Sequence, residues 1–342
     1  MNYIFPLSNL RWVEFLLKIE FLDFALQLSM ALYTFYKMYT LGLSFQLLRD
    51  LYYYSERLGE DAVVSVAPLV EWCFLSLRFY IIFRILASPN MMINNRVILL
   101  LFVAILNLAL LDLSTGGRIY IFYIISLMLF YGYTNGWVYV NNQIIRRMKK
   151  FLILLVMVVF TISINRLSTA GADPLRFLYQ YFVGPIFLFQ SAISDINGFQ
   201  AIDELRFGAS FTALDWFIVG LIKIFGVQLN SITLIMNPIL STGYLLDNNE
   251  GINAFFTGFL TFYLDFGFLG SLISGILFGS ILGILARVCY KKNVQFYLYL
   301  YLLFSFIYLM FIRDNLLSSP WILALIFLSA FTSKIAVAKS TR

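Results

Sequence analysis

Long apolar stretches set the main constraint on how this chain can fold. Val97–Leu113 is an example, because Asp112 is its one ionisable side chain among leucines, isoleucines and valines. A helix needs about 20 such residues to cross the hydrocarbon core of a bilayer. The whole chain is 61% hydrophobic and 12% charged, whereas soluble domains average about 25% charged residues. Since the alternating pattern of barrel strands is absent, the sequence predicts an all-α polytopic integral membrane protein.

Eight segments fit this pattern as spanning helices, and two shorter ones leave an alternative open. The eight are Phe21–Leu47, Ala62–Leu86, Val97–Leu113, Ile119–Val140, Phe151–Ile164, Phe255–Leu285, Val294–Ile312 and Pro320–Val337. The count rises to ten if Phe177–Ile193 and Trp216–Leu229 also cross. We favour eight, because the hairpin between these two segments holds Asp195, Asp203 and Glu204 and is a poor cytoplasmic loop. The two segments are then short re-entrant or interfacial helices.

Basic residues indicate the orientation of the spans, since short cytoplasmic loops carry an excess of Lys and Arg. The densest basic run is RRMKK at 146–150, and further basic residues cluster at 287–292 and 334–342. An even number of spans places these three clusters on the side that holds both chain ends. We therefore expect both termini in the cytoplasm.

The region 165–253 departs most from the apolar pattern. It mixes arginines, carboxylates, amides, glycines and prolines, and charged side chains are costly inside hydrocarbon. Asp173-Pro174 has the pattern of an N-cap followed by proline at the first helical position, which predicts a helix with Arg176 in its first turn. Ser210 is a candidate cap for a second helix. We interpret the region as a large extracytoplasmic loop and as the working part of the protein.

A single membrane domain, residues 1–342, accommodates all of these segments. The N-terminal helices at 21–164 form about five spans, the large external loop occupies 165–253, and the C-terminal helices at 254–342 form about three spans. The polar residues are concentrated in one loop, and the two halves of the chain show no internal repeat of the kind that transporters often carry.

Histidine is absent from the chain, and its two cysteines, Cys73 and Cys289, fall inside or at the end of apolar helices. The usual imidazole base and the commonest metal ligand are therefore missing, and a disulfide framework is disfavoured. We expect neither a metal nor another cofactor. The net charge of +6 reports membrane orientation rather than binding to nucleic acid.

Several polar side chains lie within the predicted spans. Asp23, Gln27 and Lys37 in the first span must face protein or reach the end of the helix. Arg78 and Arg84, toward the end of the second span, are interpreted as markers of membrane orientation.

The sixth predicted span carries a small residue at every fourth position. These residues are Ser271, Gly275, Gly279 and Gly283, and their spacing predicts a seam for close helix packing. Asp265 precedes them in the sequence YLDFGFLG. A carboxylate near a membrane boundary indicates function, although solvation of a helix end explains it equally well.

Five stretches of the chain together resemble a known family. They are STGGR, RRMKK, NRLS, YFVGPIFLF and NAFFTGFLTFYLDFGFLGSLISGILFG. In these stretches the chain is similar to the Wzy-type oligosaccharide repeat-unit polymerases of bacterial O antigens and capsules, from roughly Val97 to Ala330. The resemblance implies a GT-C-like helical fold in the bacterial inner membrane.

The resemblance also implies an activity. Members of this family join glycan repeat units linked to undecaprenyl pyrophosphate into O antigen or capsular polysaccharide, at the outer face of the inner membrane. Transfer of the chain is implied to be metal-independent. The implied partners are the lipid-linked glycans, the bilayer, a chain-length regulator and, functionally, a flippase.

Arginines are the residues that the resemblance assigns to the pyrophosphate. Arginine is always protonated and binds phosphate through two parallel hydrogen bonds. It can also stabilise charge that develops on a leaving group. The positions in this chain are Arg118 of the STGGR sequence and, in the loop, Arg166, Arg176 and Arg206.

The acceptor hydroxyl needs a general base or a hydrogen-bond acceptor. The candidates are carboxylates of the loop and of the following span, and we leave them unranked: Asp173, Glu204 and Asp265, with Asp247 and Glu250 as further possibilities. A role of Asp173 in capping its own helix and pairing with Arg176 would lower its value as a base.

Other functions remain open at this point. An O-antigen ligase has a similar architecture but usually brings a loop histidine. A flippase or transporter of lipid-linked oligosaccharides tends to show internal repeats. A membrane O-acyltransferase is a weaker alternative, because such enzymes commonly rely on histidine.

Overall fold

The structure is a computed structural model whose described part is helical apart from one short hairpin. The longer described segments are 10–42, 68–86, 95–114, 120–125, 258–292, 303–307 and 321–329. Single residues and pairs are described at 127, 153, 157, 210, 212, 214–215, 218–219, 222, 225–226, 244–245, 251–252 and 300. Most of the predicted fifth span and of the loop at 165–253 lies outside these residues.

Six elements have defined bounds. They are α1 (Leu10–Leu41), α2 (Pro68–Leu86), α3 (Asn95–Ser114), β1 (Tyr244–Leu245), β2 (Gly251–Ile252) and α4 (Gly258–Lys292). The strands β1 and β2 pair antiparallel, with Tyr244 opposite Ile252 and Leu245 opposite Gly251. Because the two strands have two residues each, the predicted all-α class is confirmed for the described part of the chain.

The chain divides into two compact units. Unit 1 comprises residues 1–171 and 327–342, and unit 2 comprises residues 172–326. Unit 1 contains α1, α2 and α3. Unit 2 contains the hairpin and α4.

Unit 1 is built around α3, because both α1 and α2 pack against it. Leu100, Ala104 and Leu108 are fully buried, and their four-residue spacing places them on one face of α3. Phe79 and Phe83 of α2 are also fully buried, and their ring centroids lie 6.4 Å apart. The predicted third span corresponds closely to α3.

The helix α1 begins earlier and ends earlier than the predicted span Phe21–Leu47. It starts at Leu10, and Val13 in its first turns is already buried. It ends because Gly42 takes a positive φ of 64°, the left-handed conformation that closes many helices. Residues 43–47 lie outside the described part.

The buried side of α1 carries polar side chains that a helix in a soluble protein would usually expose, and its outer side carries exposed leucines. Glu20, Asp23 and Gln27 are buried, whereas Leu22 and Leu26 are 62% and 50% exposed. A soluble helix turns its apolar side toward the core. Ionisable residues of membrane helices instead face the interior of the bundle. The polarity of α1 is therefore that of a helix surrounded by lipid.

Two helices in the described residues are long and apolar enough to cross a membrane. One is α3, with a mean hydropathy of 2.6, and the other is Phe259–Val288 within α4, with a mean hydropathy of 2.1. Membrane association is thus supported by composition, by two apolar helices and by the polarity of α1.

The helix α4 is interrupted, which corrects the prediction of one continuous sixth span over Phe255–Leu285. Gly267 has φ 63° and ψ −154°, a conformation that is essentially restricted to glycine. Ser271 Oγ donates a hydrogen bond of 3.2 Å to the carbonyl oxygen of Phe259. In a straight helix, residues twelve positions apart would be about 18 Å apart.

The part of α4 after Gly267 therefore folds back against the part before it. The rings of Phe262 and Phe278 support this, because their centroids are 6.5 Å apart in an edge-to-face arrangement. The close approach requires Gly270, where a Cβ atom would overlap the carbonyl oxygen of Phe262 and lie 2.6 Å from the Cβ of Phe266. The part of α4 after the break, residues 268–292, is by itself longer than the roughly 20 residues of a membrane-spanning helix.

Substitution of Gly270 tests the folded-back geometry. Gly270→Ala is expected to lower the free energy of unfolding by about 1–3 kcal/mol, because the added methyl group forces neighbouring atoms apart. Thermal unfolding of the purified protein in detergent micelles measures the change. Gly279→Ala is the matched control, since no heavy atom of the described residues lies within 4 Å of a Cβ built there. Equal stability of the two variants would contradict the fold-back.

Candidate functional site

Of the predicted site residues, Asp265 is the one that lies in the described part of the chain. The other candidate bases and pyrophosphate ligands lie outside it: Asp173, Glu204, Arg118, Arg166, Arg176 and Arg206. Their placement stays a prediction.

Asp265 lies in α4, two residues before the break at Gly267. Its Oδ2 accepts a hydrogen bond of 2.7 Å from the backbone N–H of Ser210. Ser210 and Thr212 both have helical backbone conformations. Asp265 thus connects the part of α4 before its break to the backbone at Ser210.

Asp112 plays a similar part in unit 1, although it was not among the residues predicted to form a site. Its carboxylate is fully buried and accepts hydrogen bonds from the N–H groups of Ile121, at 2.7 Å, and Tyr120, at 3.3 Å. Asp112 therefore caps the helical residues 120–125 across the STGGR sequence. Its signal in the sequence was a lone carboxylate at the end of an apolar run. Arg118 itself lies outside the described residues.

A second polar group of unit 1 is centred on Arg78 and Asp23. The guanidinium donates two hydrogen bonds of 2.7 Å to the carboxylate, one from Nε and one from Nη2. Both side chains are almost completely buried. The pair connects α2 to α1, and each of these helices packs on α3. Arg78 is therefore a partner of a buried carboxylate, which corrects its interpretation as a marker of membrane orientation.

Asn107 of α3 completes this group. Its Nδ2 lies 2.8 Å from Glu20 Oε2, 3.0 Å from the carbonyl oxygen of Glu20 and 3.1 Å from Asp23 Oδ2. Gln27 Nε2 lies 3.4 Å from Asp23 Oδ1. We define the buried polar cluster as Glu20, Asp23, Gln27, Arg78 and Asn107.

The cluster follows from the spacing of its residues in α1. Glu20, Asp23 and Gln27 are three and four positions apart, so they lie on one face of the helix. The sequence predicted that Asp23 and Gln27 either face protein or reach the end of the helix, and the structure shows the first alternative, because both side chains are buried. It did not indicate the partners of these residues, which come from two other helices.

Two further cations of unit 1 contact aromatic rings. Lys37 Nζ lies 5.7 Å from the centroid of the Tyr33 ring, and Arg84 Cζ lies 5.3 Å from that of Tyr80. Arg84 Nε also donates a hydrogen bond of 3.2 Å to the Tyr80 hydroxyl. Both cations lie within range of cation–π attraction.

The chemistry available in the described residues is that of carboxylates and amides. The buried polar cluster holds two carboxylates against one guanidinium, in a setting where charges interact strongly. No group of three or more His, Cys, Asp or Glu side chains in this part of the chain is arranged as a metal site. Asp265 accepts a hydrogen bond from the backbone at Ser210.

Comparisons with known proteins identify no relative. No protein-family model, no curated protein and no solved structure matches the chain.

Removal of one partner of the Arg78–Asp23 pair tests its role. Arg78→Ala leaves the Asp23 carboxylate buried without its cation, and a loss of about 3–5 kcal/mol in the free energy of unfolding is expected. Replacement of both residues by leucine is expected to restore much of this loss, because no uncompensated charge remains. Denaturant unfolding of the purified variants measures both effects.

The ion pair of Arg96 with Glu14 provides the control. Its side chains are about half exposed, and exposed pairs contribute about 0–1 kcal/mol. Arg96→Ala is therefore expected to change stability much less than Arg78→Ala. Similar losses in the two variants would refute the special role of the buried pair.

Proposed function

We propose that this chain is a membrane glycosyltransferase that polymerises oligosaccharide repeat units carried on undecaprenyl pyrophosphate. The observation that carries the proposal is the position of Asp265, a carboxylate beside a glycine break in an otherwise apolar helix, which accepts a hydrogen bond from the backbone N–H of Ser210. Breaks of this kind at membrane depth are tolerated where the backbone is buried in protein or lines a cavity. A carboxylate beside such a break is well suited to accept a hydrogen bond from a hydroxyl group of a glycan.

The proposed topology is that of a multi-pass protein of the bacterial inner membrane. It has eight spans, or ten if both short loop segments cross, with both termini in the cytoplasm and the loop at 165–253 outside. The two apolar helices and the polarity of α1 support membrane insertion. The distribution of basic residues supports the orientation.

In the proposed reaction, arginines bind the pyrophosphate and one carboxylate accepts a proton. The acceptor hydroxyl attacks the anomeric carbon of the growing chain, and the bond from that carbon to the pyrophosphate oxygen breaks. The arginines at 118, 166, 176 and 206 hold the pyrophosphate and stabilise the charge that develops on it. A carboxylate, Asp265 or one of the loop candidates Asp173 and Glu204, takes the hydroxyl proton.

Asp112 supports this arrangement indirectly. It fixes the first residues after the STGGR sequence through two hydrogen bonds, and Arg118 belongs to that sequence. In the proposed enzyme it is a positioning residue. The functional partners are a chain-length regulator and a flippase that delivers the lipid-linked repeats; nucleic acid has no role.

A deletion strain tests the activity as a whole. Loss of a polymerase leaves single repeat units and no long polymer, as seen on a gel of the surface glycans. Long polymer that is not attached to the lipid core would indicate a ligase instead. Lipid-linked repeats confined to the inner face of the membrane would indicate a flippase.

The two arginines that begin the loop test the pyrophosphate site. Arg166→Ala and Arg176→Ala are each expected to abolish chain extension in the complemented deletion strain, because a neutral side chain cannot stabilise the leaving pyrophosphate. Protein levels should stay near normal. Arg96→Ala, in a half-exposed ion pair, serves as the control and should complement fully. Normal chain lengths in both loop variants would remove these arginines from the site.

A substitution of Asp265 can separate its two roles, which are acceptance of the hydrogen bond from Ser210 and the proposed acceptance of a proton. Asp265→Asn keeps an oxygen that can accept the Ser210 N–H but cannot act as a base. Loss of a general base typically lowers rates by about 100-fold or more. We therefore expect a loss of that order in polymer formation, with an unchanged melting temperature. Asp265→Ala should lower both. An Asn variant with full activity would assign the base to another residue.

A further inference from the structure

The buried polar cluster holds more negative than positive charge. Glu20 and Asp23 are carboxylates, and Arg78 is the one cation that faces them from the described helices. Both hydrogen bonds of 2.7 Å from this guanidinium go to Asp23. The third helix, α3, contributes the neutral amide of Asn107. With Glu20 ionised, the cluster would carry one uncompensated negative charge.

The surroundings make such a charge costly. Glu20, Asp23, Arg78 and Asn107 are fully buried. A buried charge without a partner is strongly unfavourable, and in practice the group is neutralised instead. The structure therefore requires a way to neutralise Glu20.

Two buried oxygen atoms without hydrogen-bond partners indicate how Glu20 is neutralised. Within the described residues, Glu20 Oε1 and Asn107 Oδ1 are buried and lack a donor. An ionised carboxylate and an amide oxygen are both acceptors, so neither can satisfy the other. A proton on Glu20 Oε1 turns this oxygen into a donor for an amide oxygen. Since Asn107 Nδ2 already lies 2.8 Å from Glu20 Oε2, the two groups could then form the paired hydrogen bonds of a carboxylic acid and a carboxamide.

We propose that the buried polar cluster is a proton-binding site in which Glu20 holds the proton at neutral pH. One proton neutralises the cluster and provides the missing donor. Release of the proton would leave a buried negative charge between α1 and α3, so occupancy of the site is coupled to the packing of these helices. The inference is independent of the proposed glycosyltransferase activity.

Two other atoms in the cluster, Gln27 Oε1 and Arg78 Nη1, also have no hydrogen-bond partner among the described residues. A bridging water molecule could satisfy these, because water donates and accepts. Water alone would leave Glu20 ionised, and a sodium ion would do the same while supplying a positive charge. The experiment must therefore detect the proton itself.

Infrared spectroscopy of the full-length protein in lipid nanodiscs provides this test. A protonated carboxyl group has a C=O stretching band that is separate from the bands of ionised carboxylates. At neutral pH we expect one carboxylic-acid equivalent that is lost in Glu20→Gln. This variant has nearly the shape of the protonated side chain and should fold. Glu14→Gln, on the same helix in a half-exposed ion pair, should keep the band.

A second variant tests the charge balance directly. Asp23→Asn frees Arg78 to compensate Glu20, so Glu20 should ionise and the band should be lost although the residue is present. A purely structural role of Glu20 would not produce this loss.

Three outcomes would overturn the proposal. The first is absence of the band from the wild-type protein in sodium-free buffer. The second is a band that persists in Glu20→Gln, which would assign the proton to another residue. The third is a band that appears only when sodium is withdrawn, which would make a sodium ion the ligand.

Discussion

The arrangement of unit 1 depends on the buried pair of Arg78 and Asp23. The helices α1 and α2 pack mainly on α3 rather than on each other, so this ion pair is a direct link between them. A buried pair gains little net stability after desolvation, but the loss of either partner leaves an unpaired charge. The two hydrogen bonds therefore place the turn of α2 that contains Arg78 beside the turn of α1 that contains Asp23.

The polarity of α1 agrees with a chain that folds in lipid. In water, the buried stripe of a helix is apolar because apolar burial drives folding. In a bilayer that driving force between helices is absent, and polar contacts and close packing replace it. The buried side of α1 includes Glu20, Asp23 and Gln27 among apolar residues such as Val13 and Leu16, and Asn107 meets the polar residues from α3. Exposed leucines on the outer side complete this pattern.

The sequence predicted the elements whose bounds are determined by their own and adjacent residues. The bounds of α3 are nearly those of its apolar run, which polar residues close at both ends. The break in α4 was missed because Gly267 lies in an apolar run with several other glycines and no proline, and only its backbone conformation distinguishes it. Arg78 was misinterpreted because its partner lies 55 positions away in the chain. A lone cation near the end of a span resembles an orientation marker until that partner is known.

The position of Asp265 shows why the candidate site was only partly predictable. Sequence reasoning selected this carboxylate for its membrane-boundary position, and helix-end solvation explained it equally well. The hydrogen bond from Ser210 shows that Asp265 also contacts a residue 55 positions away in the chain, which its sequence position could not indicate. A carboxylate has about four lone-pair sites, and the backbone N–H of Ser210 occupies one of them. Such a contact helps to fix the orientation of the side chain, and fixed geometry is what the proposed role of Asp265 as a general base requires.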